Sequence, residues 1–500
     1  MTLLAMLLVA SGVLVLRAAR PERDENVVLS PNWQDQAWYQ LDDHDSIALC
    51  ELPAGAKYRL VIGCLGDSAE ECTVRLRLAP SADLPTPTRR ASVAGASRPS
   101  AEARRLSYDP PVISAPVVMQ PKQPLGTTRD FFLHVTDGDL DDPKQYVRIT
   151  ARNVACGSRV RIYLDQQLPD GEVSTSRIEE LVQTLETDVI PRIESQFGAL
   201  QDVDRDGRFA VVLTPWLARL QGGRTSIGGM VRSSDFRVDL PPPLGNRGDM
   251  LFLNSAFPSA AALRDLLSHE VAHAACISQR LTNQYGQFSE EEDWLSEALA
   301  HMAEPGWSNL DHRLAAFLKE PSRYPLVVPD YYRAGLWRNA GCRGATFLFT
   351  HWCADRHGPN LVRRLVESRV SGTLNLEQTT GQAFEDLFRE WSLSLASGEV
   401  IAPRELRVVL DRIGSCGLQP IAFCEDVNHE QTLPVRGTAF TVVELPLESS
   451  ASRTLRIAGG SAARWQFSIC RIPIDPPSDT NPIPLVLSRS NPRRGEEPDE

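Results

Sequence analysis

Hydrophobic and polar residues alternate in short runs near both ends of the chain, and this pattern predicts β-strands. Such runs fill residues 27–80, where Asp, Pro and Gly separate them, and they return over residues 405–472. A period of two places the apolar side chains on one face of each strand. We therefore predict two small all-β domains, one over each of these ranges.

Apolar residues recur at helical spacing through the middle of the chain, from about residue 176 onwards. Pro191 interrupts the first of these segments and is expected to kink or break that helix. Buried strands are predicted at FAVVLT and GDMLFLN, and earlier strands at FFLHV, YVRIT and VRIYLD. The pattern indicates an α+β domain over residues 160–400, preceded by a strand segment at 128–159. The later helices are predicted near residues 290–304, 344–356, 361–368 and 383–396.

Three segments lack a regular period. Residues 81–127, rich in Pro, Ser, Ala and Arg, predict a linker, and residues 473–500 predict a loose tail. Residues 1–20 contain an apolar run, Leu3 to Leu16, whose length suits a signal peptide better than a membrane span. No Lys or Arg precedes this run, which leaves a cleaved signal and a retained anchor open. We expect a secreted or cell-envelope protein, with a cytoplasmic location as the alternative.

Composition narrows the class of protein. The apolar fraction of 42% and the charged fraction of 23% are those of a globular chain. A net charge of -12 without a long basic run argues against a nucleic-acid partner. None of the ten cysteines has the C-x-x-C spacing of a zinc or redox motif. Buried free thiols and, in an exported chain, some disulfide bonds are both consistent with them.

The stretch SHEVAHAAC carries the strongest chemical signal. His269 and His273 are four residues apart, and the surrounding apolar stripe without Gly or Pro predicts a helix. On a helix both imidazoles share one face, so they can bind one metal ion. Glu270 lies about 100° further round the helix, where it can address a metal-bound water.

A third ligand is predicted downstream, in EEDWLSEALAHMAE. Glu297 lies in an otherwise apolar helical stretch, where a carboxylate is costly unless it is paired or bound to a metal. A loop of about a dozen residues lets this helix fold back beside the first. His269, His273 and Glu297 then form a three-ligand zinc site with one position left for water, as in catalytic zinc sites. The alternative is a salt bridge between Glu297 and an arginine.

The sequence HEVAH followed by WLSEALAHMAE resembles the gluzincin metallopeptidases, and most closely the hyicolysin-type family. In that family a W-L-N-E-like helix supplies the third zinc ligand. The stretches DVDRDGRFAVVLT, GDMLFLN and TTGQAFEDLFREW strengthen the resemblance, which covers roughly Val160 to Ala396. It implies a zincin-like fold with a helical C-terminal subdomain, and a peptidase in which Glu270 is the general base. Either Ile227–Val231 or Met250–Asn254 is expected to align a peptide substrate as an edge strand.

The chain departs from the family pattern at several positions. Ser296 replaces the Asn that often precedes the ligand glutamate. His301 occupies the position where thermolysin-like members carry an Asp that orients a zinc histidine, and it is either such an orienting group or an ordinary partly buried histidine. Tyr331 and Tyr332 are candidates for the group that stabilises the oxyanion, although a Tyr in a loop is more often simply packed.

The segment DVDRDG also has a cation alternative. Asp202, Asp204 and Asp206 with Gly207 resemble the first half of a calcium loop, but Leu213 stands where an EF-hand needs Glu. We interpret the segment as a polar turn that leads into FAVVLT, with a weak calcium site as the alternative.

Two functions from different classes follow from the sequence. The favoured one is an exported zinc endopeptidase acting on protein or peptide substrates. The alternative is a secreted binding or adhesion protein that keeps the zinc site without catalysis. No membrane partner is expected beyond the N-terminal anchor.

Overall fold

The structure, a computed structural model, describes part of the 500-residue chain. The described residues are 27–29, 36–41, 47–52, 57–66, 70–80, 124–136, 140–283, 289–307, 309–336, 339–397, 418–424, 430–445, 453–459 and 463–472. The predicted signal or anchor (1–20), most of the predicted linker (81–127) and the predicted tail (473–500) lie outside them.

Strands and helices alternate in a mixed α+β arrangement. The strands are β1 (Val27–Leu29), β2 (Gln36–Leu41), β3 (Ile47–Leu52), β4 (Lys57–Cys64), β5 (Glu71–Pro80), β6 (Thr128–His134), β7 (Tyr146–Cys156), β8 (Val160–Asp165), β9 (Phe209–Thr214), β10 (Gly229–Met230), β11 (Met250–Asn254), β12 (Ile421–Ala422), β13 (Gln431–Arg436), β14 (Phe440–Leu445), β15 (Arg453–Gly459) and β16 (Trp465–Ile472). The helices are α1 (Thr175–Thr184), α2 (Ile190–Phe197), α3 (Leu220–Gly223), α4 (Ala260–Asn283), α5 (Asp293–Met302), α6 (Asp311–Lys319), α7 (Ala340–His357), α8 (Leu361–Val366), α9 (Gly372–Thr380) and α10 (Phe384–Ser397).

The two β-rich ends of the chain fold together. One five-stranded sheet has the order β1-β3-β15-β5-β13 and the other has the order β12-β14-β4-β16-β2. Each sheet therefore contains strands from both ends of the chain. The predicted segments 27–80 and 405–472 do not form two separate β-domains, because their strands hydrogen-bond to each other and their apolar faces share one core. That core includes Leu60, Ile62, Val74, Leu76, Val443, Leu455 and Phe467.

A six-stranded sheet forms the layer above the central helices, in the order β10-β11-β9-β8-β7-β6. Strands β8, β9 and β11 are parallel, whereas β10, β7 and β6 run antiparallel to their neighbours. Every residue of β9 and β11 is buried, as the apolar runs FAVVLT and MLFLN predict. Because β11 pairs on both sides, β10 is the edge strand at this end of the sheet.

The first helical segment continues through Pro191. A π-helical turn, Leu185–Val189, joins α1 to α2, and Pro191 is the second residue of α2. Proline lacks the N–H that an α-helix needs at this position, and the wider turn just before it adjusts the backbone. The expected break is therefore a bulge within a continuous helical segment.

Helix α7 packs closely against α6. A Cβ added at Gly344 of α7 would lie 2.3 Å from the carbonyl oxygen of Arg313 on α6. Only a glycine leaves room for two backbones at this separation. The close contact lies beside α5, where Arg343 contacts Glu297 and Arg313 contacts His301.

The localisation prediction needs correction. Among the described residues, no helix combines the length and the apolar character needed to cross a membrane. The apolar run Leu3 to Leu16, on which the prediction of a secreted or anchored protein depended, is outside the described residues. Eight cysteines are described with their side chains, and all eight are free thiols.

Candidate metal centre

Helix α4 presents His269 and His273 on one face, one helical turn apart. The opposite side of the helix buries Leu263, Leu267 and Val271 against the sheet and the neighbouring helices. This burial fixes the rotation of α4 about its axis, so both imidazoles point away from the core and towards α5. The apolar stripe predicted from the sequence thus orients the two histidines.

The ligand atoms of three predicted residues converge. His269 Nε2 lies 3.3 Å from His273 Nε2 and 3.4 Å from Glu297 Oε2. Two ligands of a tetrahedral zinc ion, each at about 2.1 Å from the metal, lie roughly 3.4 Å apart. The His-His-Glu set therefore has the spacing that zinc requires. The described residues contain two other groups of this kind, one at His269, His301 and Glu304 and one at Asp202, Asp204 and Asp206.

Hydrogen bonds to the outer ring nitrogens orient both histidines. His269 Nδ1 lies 2.9 Å from Glu304 Oε1, and His273 Nδ1 lies 3.1 Å from Ser296 Oγ. With the protons on Nδ1, the two Nε2 lone pairs face each other at the centre. Such an arrangement is repulsive unless a proton or a metal ion lies between the nitrogens.

The electrostatics of the centre favour a positive charge there. Burial disfavours a protonated His269, but Glu297 and Glu304 outweigh burial and raise its pKa to about 9. His273 shows the opposite behaviour, because burial and, to a smaller extent, the adjacent His269 lower its pKa to about 4. One cation is therefore stabilised between the two rings and a second one is disfavoured.

Glu297 is held in its ionised form. Burial disfavours the charge, but Arg343 and the two histidines outweigh burial and hold the pKa of this carboxyl well below its usual range. Glu297 Oε1 accepts a hydrogen bond from Arg343 at 2.8 Å, whereas the buried Oε2 lies 3.4 Å from His269 Nε2. The carboxylate thus forms the salt bridge that the sequence offered as an alternative, and it still presents one oxygen to the centre.

Glu270 is buried beside the ligands and lies against the edge strand. Burial raises the pKa of Glu270 to about 7, although His269 and Arg343 oppose this effect. A Cβ added at Gly229 of β10 would lie 2.7 Å from Glu270 Cγ. The glycine therefore allows the strand to approach the carboxyl group. A carboxyl group that titrates near neutral pH is well suited to move a proton.

Behind His269 lies a group that the sequence prediction missed. Glu304, just after α5, is 3% exposed, and its Oε1 contacts both His269 and His301. The buried His301 also contacts Arg313 of α6 through Nε2. The argument that singled out Glu297, a carboxylate in an apolar helical stretch, would have singled out Glu304 as well.

The two tyrosines lie in different surroundings. Tyr331 is buried, and its backbone N–H donates to Asp293 Oδ2 at 2.7 Å. Tyr332 is partly buried, and its hydroxyl donates to the carbonyl of Thr136 at 3.4 Å. A role for either hydroxyl at an oxyanion stays a prediction.

The aspartate cluster after α2 is neutralised by arginines. Asp204 pairs with Arg129 at 2.8 Å, and Asp206 pairs with Arg161. Asp202 accepts backbone N–H groups of the same turn, at 3.1 Å from residue 206 and 3.0 Å from residue 207. These partners supply the positive charge that calcium would bring, so they favour the polar turn. A weak calcium site stays a prediction.

An open cavity of about 180 Å³ adjoins the centre. His273, Ser296 and Glu297 form part of its wall, and Val231 and Ser233, which follow β10, form another part. The cavity therefore reaches two of the three predicted ligand residues, His273 and Glu297.

Comparisons with known proteins show distant structural similarity to solved structures. No family model matches the chain, and no curated protein matches it. Among solved structures, the chain is similar to a mutant M1 zinc metallopeptidase from Deinococcus radiodurans bound to a Tyr-Ser-Ala substrate, with 13% identity and a TM-score of 0.25. The match covers 59% of this chain and 63% of the length of that structure.

Proposed function

We propose that this protein is a zinc-dependent peptidase that hydrolyses peptide bonds in protein or peptide substrates. One observation carries the proposal: His269 Nε2, His273 Nε2 and Glu297 Oε2 converge with separations of 3.3 Å and 3.4 Å. Three protein ligands leave a fourth position for water, which distinguishes catalytic from structural zinc sites. The finer assignment, a zincin-like gluzincin of the hyicolysin type, rests on HEVAH and WLSEALAHMAE.

His269, His273 and Glu297 would hold the zinc ion. When bound, zinc supplies Lewis acidity that lowers the pKa of a water molecule and polarises the substrate carbonyl. Glu270 accepts the proton of the attacking water on its carboxylate and then donates it to the leaving amine nitrogen. Its buried surroundings keep the pKa of this carboxyl near neutrality, where both proton transfers are feasible.

The substrate backbone would extend the six-stranded sheet. β10 lies at the edge of the sheet and contacts Glu270 at Gly229, so a peptide paired with β10 would place a carbonyl group near the base. Pairing at β10 favours the predicted segment Ile227–Val231 as the substrate-aligning edge strand. Met250–Asn254 is less suitable, because β11 already has neighbouring strands on both sides.

The decisive experiment compares wild type with Glu270→Gln, which removes the base and keeps all three ligands. Zinc content and casein hydrolysis are measured on both proteins. We expect about one zinc per chain in each and hydrolysis by the wild type only. Glu179→Gln, at an exposed position of α1, is the matched control and should behave like the wild type.

Two other outcomes would contradict the proposal. Zinc in both proteins without hydrolysis by either would favour a non-catalytic binding protein. Absence of zinc from the reconstituted wild type would remove the basis of the metal site itself.

A further inference from the structure

A chain of hydrogen bonds extends from His269 to a different helix. Glu304 Oε1 lies 2.9 Å from His269 Nδ1 and 2.6 Å from His301 Nδ1. His301 Nε2 contacts Arg313 NH1, which also lies 3.4 Å from His301 Nδ1. The imidazole rings of His269 and His301 also lie side by side, with centroids 4.6 Å apart. The three groups behind His269 come from α5, the residues just after it, and α6.

Arg313, which can only donate, and the Glu304 carboxylate, which can only accept, together fix the direction of the hydrogen bonds in this chain. A guanidinium group can only donate, so His301 Nε2 must accept. The proton of a neutral His301 therefore resides on Nδ1 and is donated to Glu304. The Glu304 carboxylate also accepts the Nδ1 proton of His269, which leaves the Nε2 lone pair of His269 directed at the centre.

Burial makes this direction hard to reverse. His301 is 1% exposed and Glu304 is 3% exposed, so neither can exchange its partner for bulk water at low cost. Without the donor at Nε2, His301 could hold its proton there instead, and Glu304 would then face an unprotonated nitrogen. Glu304 Oε2 already lacks a hydrogen-bond partner within the described residues, so the carboxylate depends on the donors at Oε1.

We propose that Arg313 and His301 are positioning residues of the metal centre, acting through Glu304 to hold His269 in its metal-binding orientation and tautomer. This inference depends on the proposed zinc site. It assigns to His301 an indirect orienting role and to Glu304 the direct one. It also makes zinc binding depend on the packing of α6 against α7, although α6 supplies no ligand.

The test measures zinc affinity by competition with a chromogenic chelator, independently of catalysis. We expect Arg313→Met to weaken zinc binding roughly 10- to 100-fold, the usual effect of losing an outer partner of a metal ligand. Arg313→Lys keeps a donor and should recover most of the affinity. Arg323→Met, at an exposed position after α6, is the control and should bind zinc like the wild type.

A second measurement needs no substitution. Nitrogen NMR of histidine side chains in the zinc-loaded wild type should show His301 as the tautomer protonated on Nδ1. A proton on Nε2 of His301 would overturn the inference, as would an Arg313→Met protein that folds and binds zinc within about threefold of the wild type.

These results are distinguishable from failure of the proposed function. A wild type that binds zinc and cleaves casein, together with Arg313→Met that binds zinc equally well, would overturn this inference alone. A wild type without zinc would overturn both.

Discussion

The Nε2 atoms of His269 and His273 face each other across 3.3 Å, while Glu304 and Ser296 engage the opposite nitrogens of the two rings. Two nitrogen lone pairs are thus directed at one point, with Glu297 Oε2 beside them. A positive charge at this point, either a proton on His269 or a metal ion, relieves their repulsion.

Zinc should therefore stabilise the folded protein. A ligand at a thousandfold excess over its Kd adds about 4 kcal/mol to the free energy of unfolding. We expect a higher Tm with zinc than with a chelator, measured by calorimetry. In His273→Ala the difference should largely disappear, and an equal zinc-dependent shift in both proteins would show that zinc binds elsewhere.

Gly229→Ala should impair catalysis while preserving the metal. The added Cβ would lie 2.7 Å from Glu270 Cγ and would push the base away from its position. A displacement of about 1 Å can cost on the order of 100-fold in rate. Zinc content and kcat are the measurements. Gly228→Ala is the matched control, because the atoms nearest to its Cβ are side-chain carbons of Leu266 and not Glu270. Equal losses in both variants would contradict the prediction.

Ser296→Ala should weaken zinc binding less than Arg313→Met does. Ser296 Oγ lies 3.1 Å from His273 Nδ1, and a neutral hydrogen bond of this type contributes about 1 kcal/mol. The expected loss of affinity is about fivefold, whereas bonds to the charged Glu304 are roughly twice as strong. Chelator competition measures both variants, and the reverse order of effects would be inconsistent with the hydrogen-bond pattern.

Gly344→Ala should destabilise the protein by about 1–3 kcal/mol, because the added methyl group would overlap the carbonyl oxygen of Arg313 and separate α6 from α7. Urea unfolding measures the change. The sign of the change in stability tests the close approach, because at an uncrowded helical position a Gly-to-Ala substitution stabilises the helix by about 1 kcal/mol. Increased stability would therefore rule out the close approach.

Asp293→Asn should stabilise the protein above neutral pH. Burial raises the pKa of Asp293 from 3.8 to about 7, against the opposing hydrogen bond from Tyr331 N–H. The folded state thus holds a proton that the unfolded state has lost between these values, so the free energy of unfolding falls as pH rises through this window.

The asparagine has no proton to lose and can still accept the Tyr331 hydrogen bond. We expect Asp293→Asn to exceed the wild type only slightly in free energy of unfolding at pH 4. At pH 8 the difference should be a few kcal/mol, which corresponds to a pKa shift on the order of three units. Urea unfolding at the two pH values gives the comparison. Exposed Asp170→Asn is the control, and an advantage for Asp293→Asn that does not change with pH would contradict the assignment.

Local spacing was sufficient to predict several features. The apolar stripe of α4 places His269 and His273 on one face, and helical geometry alone determines this. The buried runs at β9 and β11 were predicted because an apolar segment of that length has few other placements. Glu297 was predicted because a carboxylate among apolar residues needs a partner.

Other features depended on contacts between distant segments. The strands at the two ends of the chain interleave in shared sheets, and no alternating pattern specifies which strand pairs with which. Arg343 reaches Glu297 across 46 positions of sequence, and Arg313 reaches His301 because Gly344 lets α6 and α7 meet closely.

The sequence by itself thus determined that His269 and His273 share one face of a helix, that Glu270 lies beside them and that Glu297 needs a partner, since these follow from the period of one helix and the cost of burying a charge. Only the tertiary structure decided which oxygen faces the centre, which groups orient the histidines and which strand forms the edge. Those choices depend on how helices and strands pack, and packing is set by side-chain shape over many residues rather than by spacing within one.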